Sequence, residues 1–340
     1  MPEIIGENID RLVTVEMRPR AGMPRGFIHR LYAAARERLG APLTYLAAKA
    51  ISERVGRGDV VVLTTGAADD TVLRRGETDG PIGAAAVARA IDLGLGATPV
   101  ILTEERFVPP QAAACEAAGL TVITDWELAR RRPGSVHLLP LPIDDTAARK
   151  QATEILETFG PKLVFADEKL GPNPAGRLHS VRGVDFSHCL GKAHHLFLEA
   201  QQRGVLTIGV GDGGNELGYG LIYEAVCGVT EFGRRCQCPC GQGAATVVPA
   251  DVLVVGATSN WGCYGIVAAL AVLLERPELL HDVATEERML LDCVRAGAAD
   301  GLYGRQIPFV DGTPAGTQRA LIELLHTLVA NGLKTVQRPF

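Results

Sequence analysis

Seven short runs of aliphatic and β-branched residues recur along the chain: VVVLTT (60–65), TPVILT (98–103), LTVIT (120–124), VHLLPL (136–141), KLVFAD (162–167), VLTIGVG (205–211) and DVLVVGA (251–257). Most are apolar along their whole length rather than alternating, the pattern of strands covered on both faces. Between them lie segments of helical periodicity, among them IGAAAVARAIDLG, PQAAACEAAG, DTAARKQATEILETFG, GKAHHLFLEAQQRG and CYGIVAALAVLLE, several closed by glycine. Repeated strand, helix, strand units imply right-handed crossovers. The expected fold class is therefore α/β: a doubly wound, mainly parallel sheet of about seven strands with helices on both faces. Residues 1–56, with IHRLYAAARERL and PLTYLAAKAISERV, read as a helical lead-in packed on the core, and residues 57–335 as a single α/β unit, or the whole of 1–340 as one continuous domain. The longest irregular stretch, Glu168 to His188, is a candidate wall for a binding site.

Ligands of open parallel sheets bind beyond the carboxyl ends of the strands, and three segments have that position. The first is Thr65 and Gly66 after the first strand, together with ETDGPIGAAAVARA. There Thr78 or Asp79 is placed to cap the next helix, while Gly80 and Gly83 leave N–H groups open to an anion. The second is GVGDGGNELGYG, where Asp212, Gly213, Gly214, Asn215 and Glu216 follow an apolar strand. It is neither a dinucleotide fingerprint nor a P-loop; two carboxylates and an amide at a strand mouth suit either reaction chemistry or helix capping. The third is ATSNWGCYG, where Ser259, Asn260 and Trp261 read as a pocket wall or as a cap.

Composition narrows the partners. A net charge of −5 and pI near 5.9 lack the basic footprint of a nucleic-acid binder. No basic and apolar leader opens the sequence, and the longest apolar runs are too short for a bilayer, so no membrane partner and a cytoplasmic location are expected. Five of the eight cysteines are scattered singly, as in a reducing compartment. The other three, Cys236, Cys238 and Cys240, would share one side of an extended segment and could bind zinc with Cys227 or a histidine, although C-x-C-x-C is not the usual zinc spacing. His194 and His195 read as helix-surface or core residues, and His179 and His188 lie nearer the irregular loop.

ETDGPIGAAAVARAI, RGVDFS, TIGVGDGGNELGYG and VGATSNWGCYGIVAAL, in this order, resemble the D-glutamate cyclase family in its carboxy-terminal catalytic region, from about residue 31 to about residue 299. Two stretches depart from the pattern: EKLGPNPAGRLHSV and RCQCPCGQGAATV. The resemblance implies a hydro-lyase that converts D-glutamate to 5-oxo-D-proline and water. A related lactam-forming or lactam-hydrolysing enzyme, or a non-catalytic binder of an acidic metabolite or nucleotide, would share the same core. On the cyclase reading, Asp212 or Glu216 takes the ammonium proton, and Gly213, Gly214 and Asn215 hold the reacting carboxylate. Arg177 and Arg182 clamp a substrate carboxylate, Asp79 and Asp185 anchor the amine or a divalent cation (Mn2+ or Mg2+), and Ser259 and Asn260 orient the substrate. The expected partner is a small acidic amino acid, with a homo-oligomer as a further expectation.

Overall fold

The computed structural model describes residues 2–19 and 23–334. Three helices lead in, α1 (Pro2–Val13), α2 (Phe27–Leu39) and α3 (Leu43–Arg54). Then follow β1 (Val60–Thr65), α4 (Pro81–Leu95), β2 (Thr98–Thr103), α5 (Val108–Ala117), β3 (Thr121–Ile123), α6 (Trp126–Ala129), β4 (Ser135–Pro140), α7 (Asp145–Phe159) and β5 (Leu163–Asp167). The chain continues through α8 (His194–Gln202), β6 (Leu206–Gly211), α9 (Tyr223–Val229), β7 (Val252–Val255), α10 (Ser259–Leu273) and α11 (Val283–Arg295). It ends with a short hairpin, β8 (Phe309–Val310) and β9 (Thr313–Pro314), and α12 (Ala315–Leu333).

The seven main strands form one sheet in the order β3-β4-β2-β1-β5-β6-β7, every neighbouring pair parallel. The α/β class and the seven strands read from the sequence are all present. Alternate residues of each strand enter opposite layers: Val61, Leu63, Ile101 and Phe165 pack towards α4 and α10, whereas Val62, Val100, Leu102 and Val164 pack towards α7 and α8. Burial on both faces is why the strands carry no polar alternation.

Helices α6, α9, α11 and α12 match none of the helical segments read from the sequence, and α1 lies within the expected helical lead-in but outside its two quoted segments. In α1 the signal is the four-residue spacing of Ile5, Ile9 and Val13, all buried in the layer that also holds α10. Its partner Asp10 is buried as well, accepting from the backbone N–H of Leu43 and Thr44 and so fixing the start of α3.

The winding direction reverses between the adjacent strands β1 and β5, the position at which open α/β sheets place their ligands. A buried ion pair organises this point. Lys169 Nζ lies 2.6 and 2.7 Å from the Glu104 carboxylate, and both side chains are 1% exposed. The ammonium also donates to the Gly66 carbonyl at 3.0 Å, and Glu104 accepts from the Gly191 N–H at 2.6 Å. Residues just beyond β1, β2 and β5 are thereby tied together.

Removing one partner of such a pair strands a buried charge. Lys169→Met should lower the unfolding free energy by about 3 to 5 kcal/mol, and pairing it with Glu104→Leu should recover much of the loss. Urea denaturation of the single and double variants checks this; equal losses in both would contradict the ion-pair account.

Candidate active site

The ends of β1, β5 and β6 and the residues after β7 meet around a cleft of about 410 Å³ whose lining includes Arg18, Glu77, Glu168, Arg182, Asp212 and Asp311. Two capping interactions build its floor. The Asp79 carboxylate accepts the N–H groups of Ser259 and Asn260, each at 2.8 Å, at the start of α10. Asn260 Oδ1 accepts the N–H groups of Gly80 (2.9 Å) and Gly83 (2.8 Å), at the start of α4, while its Nδ2 donates to the Thr78 carbonyl. Each helix is capped by a side chain from the other. Gly80 has φ +99°, and a Cβ there would sit 2.7 Å from Thr65 Oγ1, so the approach of β1 to α4 requires glycine.

Sequence reasoning gives Asp79 and Thr78 to their own helix; the structure instead gives Asp79 to α10, and Thr78 Oγ1 donates to the Phe309 carbonyl. Asn260 is thus a positioning residue. Trp261 is not a pocket wall: it is buried, with its indole N–H donating to Gln318 Oε1 at 2.6 Å on α12.

The glycine loop is held by its own acid. Glu216 accepts from the N–H groups of Asp212 (3.1 Å), Gly213 (2.7 Å) and Gly214 (2.7 Å). This corrects two expectations: the Gly213 and Gly214 N–H groups already have an acceptor, and Glu216 braces the loop from within. Gly214 adopts φ +93°, and a Cβ there would meet Val226 at 2.6 Å. Asn215 donates to the His179 carbonyl at 2.8 Å and lines the cleft, joining the loop to the opposite wall. Only one short 3-10 turn, Gly220–Ile222, follows the loop at once; the α-helix α9 begins at Tyr223.

Asp212 and Glu168 line the cleft and Asp79 is buried beside them, each of the three offering a carboxylate oxygen within 4.8 Å of the others. Glu168 directly follows β5, accepts a hydrogen bond from Ser259 Oγ, and has a left-handed backbone with φ +47°. Asp311, another cleft residue, is left-handed too, at φ +48°. Glu77 and Asp300 add further carboxylates beside them. The counter-charge is Arg18: its Nη1 lies 2.6 Å from Asp212 Oδ2 and 2.9 Å from Asp311 Oδ2, and Nη2 donates to the Asp212 carbonyl.

Burial and mutual repulsion raise these acids. Desolvation, then Asp311, pushes Asp79 up to about 8. Desolvation followed by Glu216 and Asp212 lifts Glu168 well above its ordinary range, and desolvation lifts Asp212 despite Arg18. Arg18 is held more basic than usual by Asp212, Asp311 and Asp79, although burial opposes its charge. Below them Asp167 is fully buried at the end of β5, with the Cys263 thiol and the Ala84 N–H beside its carboxylate but no hydrogen bond of good geometry to either oxygen among the described residues; burial and then Asp79 raise it well above the normal carboxyl range.

Of the remaining expected residues, Arg182 lies at the mouth of the cleft, whereas Thr65, Gly66 and Ser259 are buried beneath it. Arg177 and Asp185 do not line the cleft: they face each other at 3.8 Å on the outer side of the irregular stretch. That stretch does form a wall, through Leu170, Ser180, Val181, Arg182, Val184 and Phe186. Cys236, Cys238 and Cys240 lie behind this wall in a turn rather than an extended segment, and Cys227 is not among the groups they approach. Sequence reasoning missed Arg18, Glu77, Asp167, Glu168, Asp300 and Asp311. Asp167 and Glu168 had a local signal, as the acids that end and directly follow an apolar strand.

The sequence profile of the family described as "D-glutamate cyclase-like, C-terminal" matches residues 28–326. A human relative, "D-glutamate cyclase, mitochondrial", is 30% identical over 189 residues, covering 49% of this chain and 29% of the relative's length. The aligned part is thus under a third of that protein. No helix among the described residues is long and apolar enough to cross a membrane.

In the folded chain Asp79 keeps its proton to about pH 8, against 3.8 for an ordinary aspartate, so the native state holds more protons than the unfolded state between those values. Stability then falls as pH rises through that window. His194 and His179, held below 6.5 chiefly by burial, act in the opposite sense, but only below 6.5. Between pH 6.5 and about 8 the urea midpoint should therefore drop in metal-free buffer, and Asp79→Asn should make the slope shallower, with Glu168, Asp212 and Asp167 still acting in the same sense. A slope unchanged in the variant would show that Asp79 contributes nothing to it.

Proposed function

Because the chain belongs to the D-glutamate cyclase-like, C-terminal family, we propose that it closes an acidic amino acid, D-glutamate, into its lactam, 5-oxo-D-proline, with loss of water. The observation that carries this reading is the buried cluster of carboxylates facing one guanidinium in the cleft. Such a cluster attracts an ammonium group, and it contains acids and bases in unequal environments, as dehydration requires.

In the reaction the substrate nitrogen bonds to the side-chain carboxyl carbon, and a carbon–oxygen bond breaks. Two of the three ammonium protons leave with the departing oxygen as water. Asp212, paired with Arg18, is the carboxylate best suited to accept the first proton. Glu168, lifted by burial and by neighbouring acids, is suited to carry a proton to the departing oxygen. Arg182 at the mouth is placed for the substrate's other carboxylate. Asp79, Glu168 and Asp212 offer hard oxygen donors of the type that holds Mn2+ or Mg2+, an ion that when bound would polarise a carboxylate oxygen.

Incubating the full chain with D-glutamate and L-glutamate separately, with and without Mn2+ and Mg2+, and following 5-oxoproline by mass spectrometry tests the proposal. Product is expected from D-glutamate; none from either isomer under all conditions would sink it. Asp212→Asn should lower turnover by roughly a hundredfold or more with the fold retained. Arg182→Ala should raise KM about tenfold while sparing kcat, the signature of lost uniform binding.

A further inference from the structure

Behind the cleft wall four soft and borderline ligands converge that the lactam chemistry does not use. Cys236, Cys238 and Cys240 place their sulfurs 3.2 to 3.5 Å apart in every pairing. His179 Nε2 lies 3.2 Å from Cys238 Sγ and 3.9 Å from Cys240 Sγ, and all four ligand atoms fall within 4.8 Å of one another. A disulfide holds its sulfurs at about 2.0 Å and joins only two of them. A tetrahedral zinc with bonds of about 2.3 Å sets sulfur ligands roughly 3.8 Å apart, only a few tenths of an ångström beyond the spacing seen here.

The surroundings suit a metal. His179 Nδ1 lies 3.3 Å from the Arg177 carbonyl, which orients the ring with Nε2 turned to the sulfurs, as outer partners of zinc-binding histidines do. Asn173 Nδ2 lies 3.4 Å from Cys240 Sγ and donates to the Gly243 carbonyl, so a donor already faces one sulfur. Four protein ligands leave no open coordination position, which makes the site structural rather than catalytic.

We propose that His179, Cys236, Cys238 and Cys240 form a zinc site that fixes the cleft wall. The 236–240 turn is already stitched to that wall: the Gln237 N–H donates to the Gly183 carbonyl at 2.9 Å and its side chain to the Arg182 carbonyl at 2.7 Å. The His179 carbonyl accepts from Asn215 of the glycine loop. The metal thus clamps a ligand carried by the wall to three carried by the turn, and one residue links it to the loop bearing Asp212. The site stands on its own geometry and does not rest on the cyclase reading.

The test is elemental analysis of the full chain purified in reducing buffer without chelator, beside protein produced with cobalt. One equivalent of zinc is expected, and the cobalt form should show a thiolate charge-transfer band and the intense visible bands of a tetrahedral site. Cys238→Ser and His179→Ala should lower metal retention, whereas His179→Cys should keep it. Stripping the metal should speed hydrogen exchange across residues 178–184. Roughly a tenth of an equivalent of zinc or less, with the three thiols reacting freely in the folded protein, would overturn the site. A disulfide among the three cysteines, or metal that survives in both Cys238→Ser and His179→Ala, would overturn it as well. Exchange unchanged after stripping would refute the clamp. Because metal content and the cobalt spectrum are read on the unaltered chain, misfolding of a variant leaves the test intact.

Discussion

Several carboxylates removed from water and crowded against one another demand compensation, and the architecture around the cleft is organised to provide it. A parallel sheet sends the carboxyl ends of all its strands to one edge, and the crossover connections bring helix amino termini, with their unpaired N–H groups, to the same edge. Asp79 is held by the first N–H groups of α10, and Glu216 by those of its own loop. Arg18 supplies a full positive charge from a segment that belongs to neither. What these do not neutralise is met by protonation, which is why Glu168 and Asp79 titrate far above ordinary carboxyls.

The same crowding accounts for two backbone outliers. Glu168 and Asp311 adopt left-handed conformations that a side chain ordinarily avoids, and both line the cleft. At Glu168 the chain must turn directly after β5 and still present its carboxylate to Ser259, so the turn falls on an acid where glycine would be more comfortable. Lys169, the next residue, faces the opposite way into its pair with Glu104, and that buried pair holds the turn in place.

The seven strands were legible because burial on both faces is a local property, written in consecutive residues such as Val60 to Leu63. The position of the site was legible for a related reason: a parallel sheet limits where strand ends can lead, and Asp79, Asp212, Ser259 and Asn260 do gather there. Their partners were not. Asp79 obeys a capping rule, but on a helix 180 residues away, and no pattern near Asp79 records that. Glu216 has the composition of a reactive acid and the geometry of a brace. Arg18 and Asp311 come from opposite ends of the chain and meet only through tertiary folding. The cysteine turn gave its sulfurs away, whereas its histidine became identifiable only when the irregular stretch was seen folded against it.

Arg18 lies outside residues 28–326, the part of the chain that matches the family. The scaffold that carries the acids and the segment that sets their charge therefore lie in different parts of the chain, joined through the Arg18 contacts to Asp212 and Asp311. Displacing that short segment would take a full positive charge away from the buried acids, which would then have to bind protons or a cation in its place.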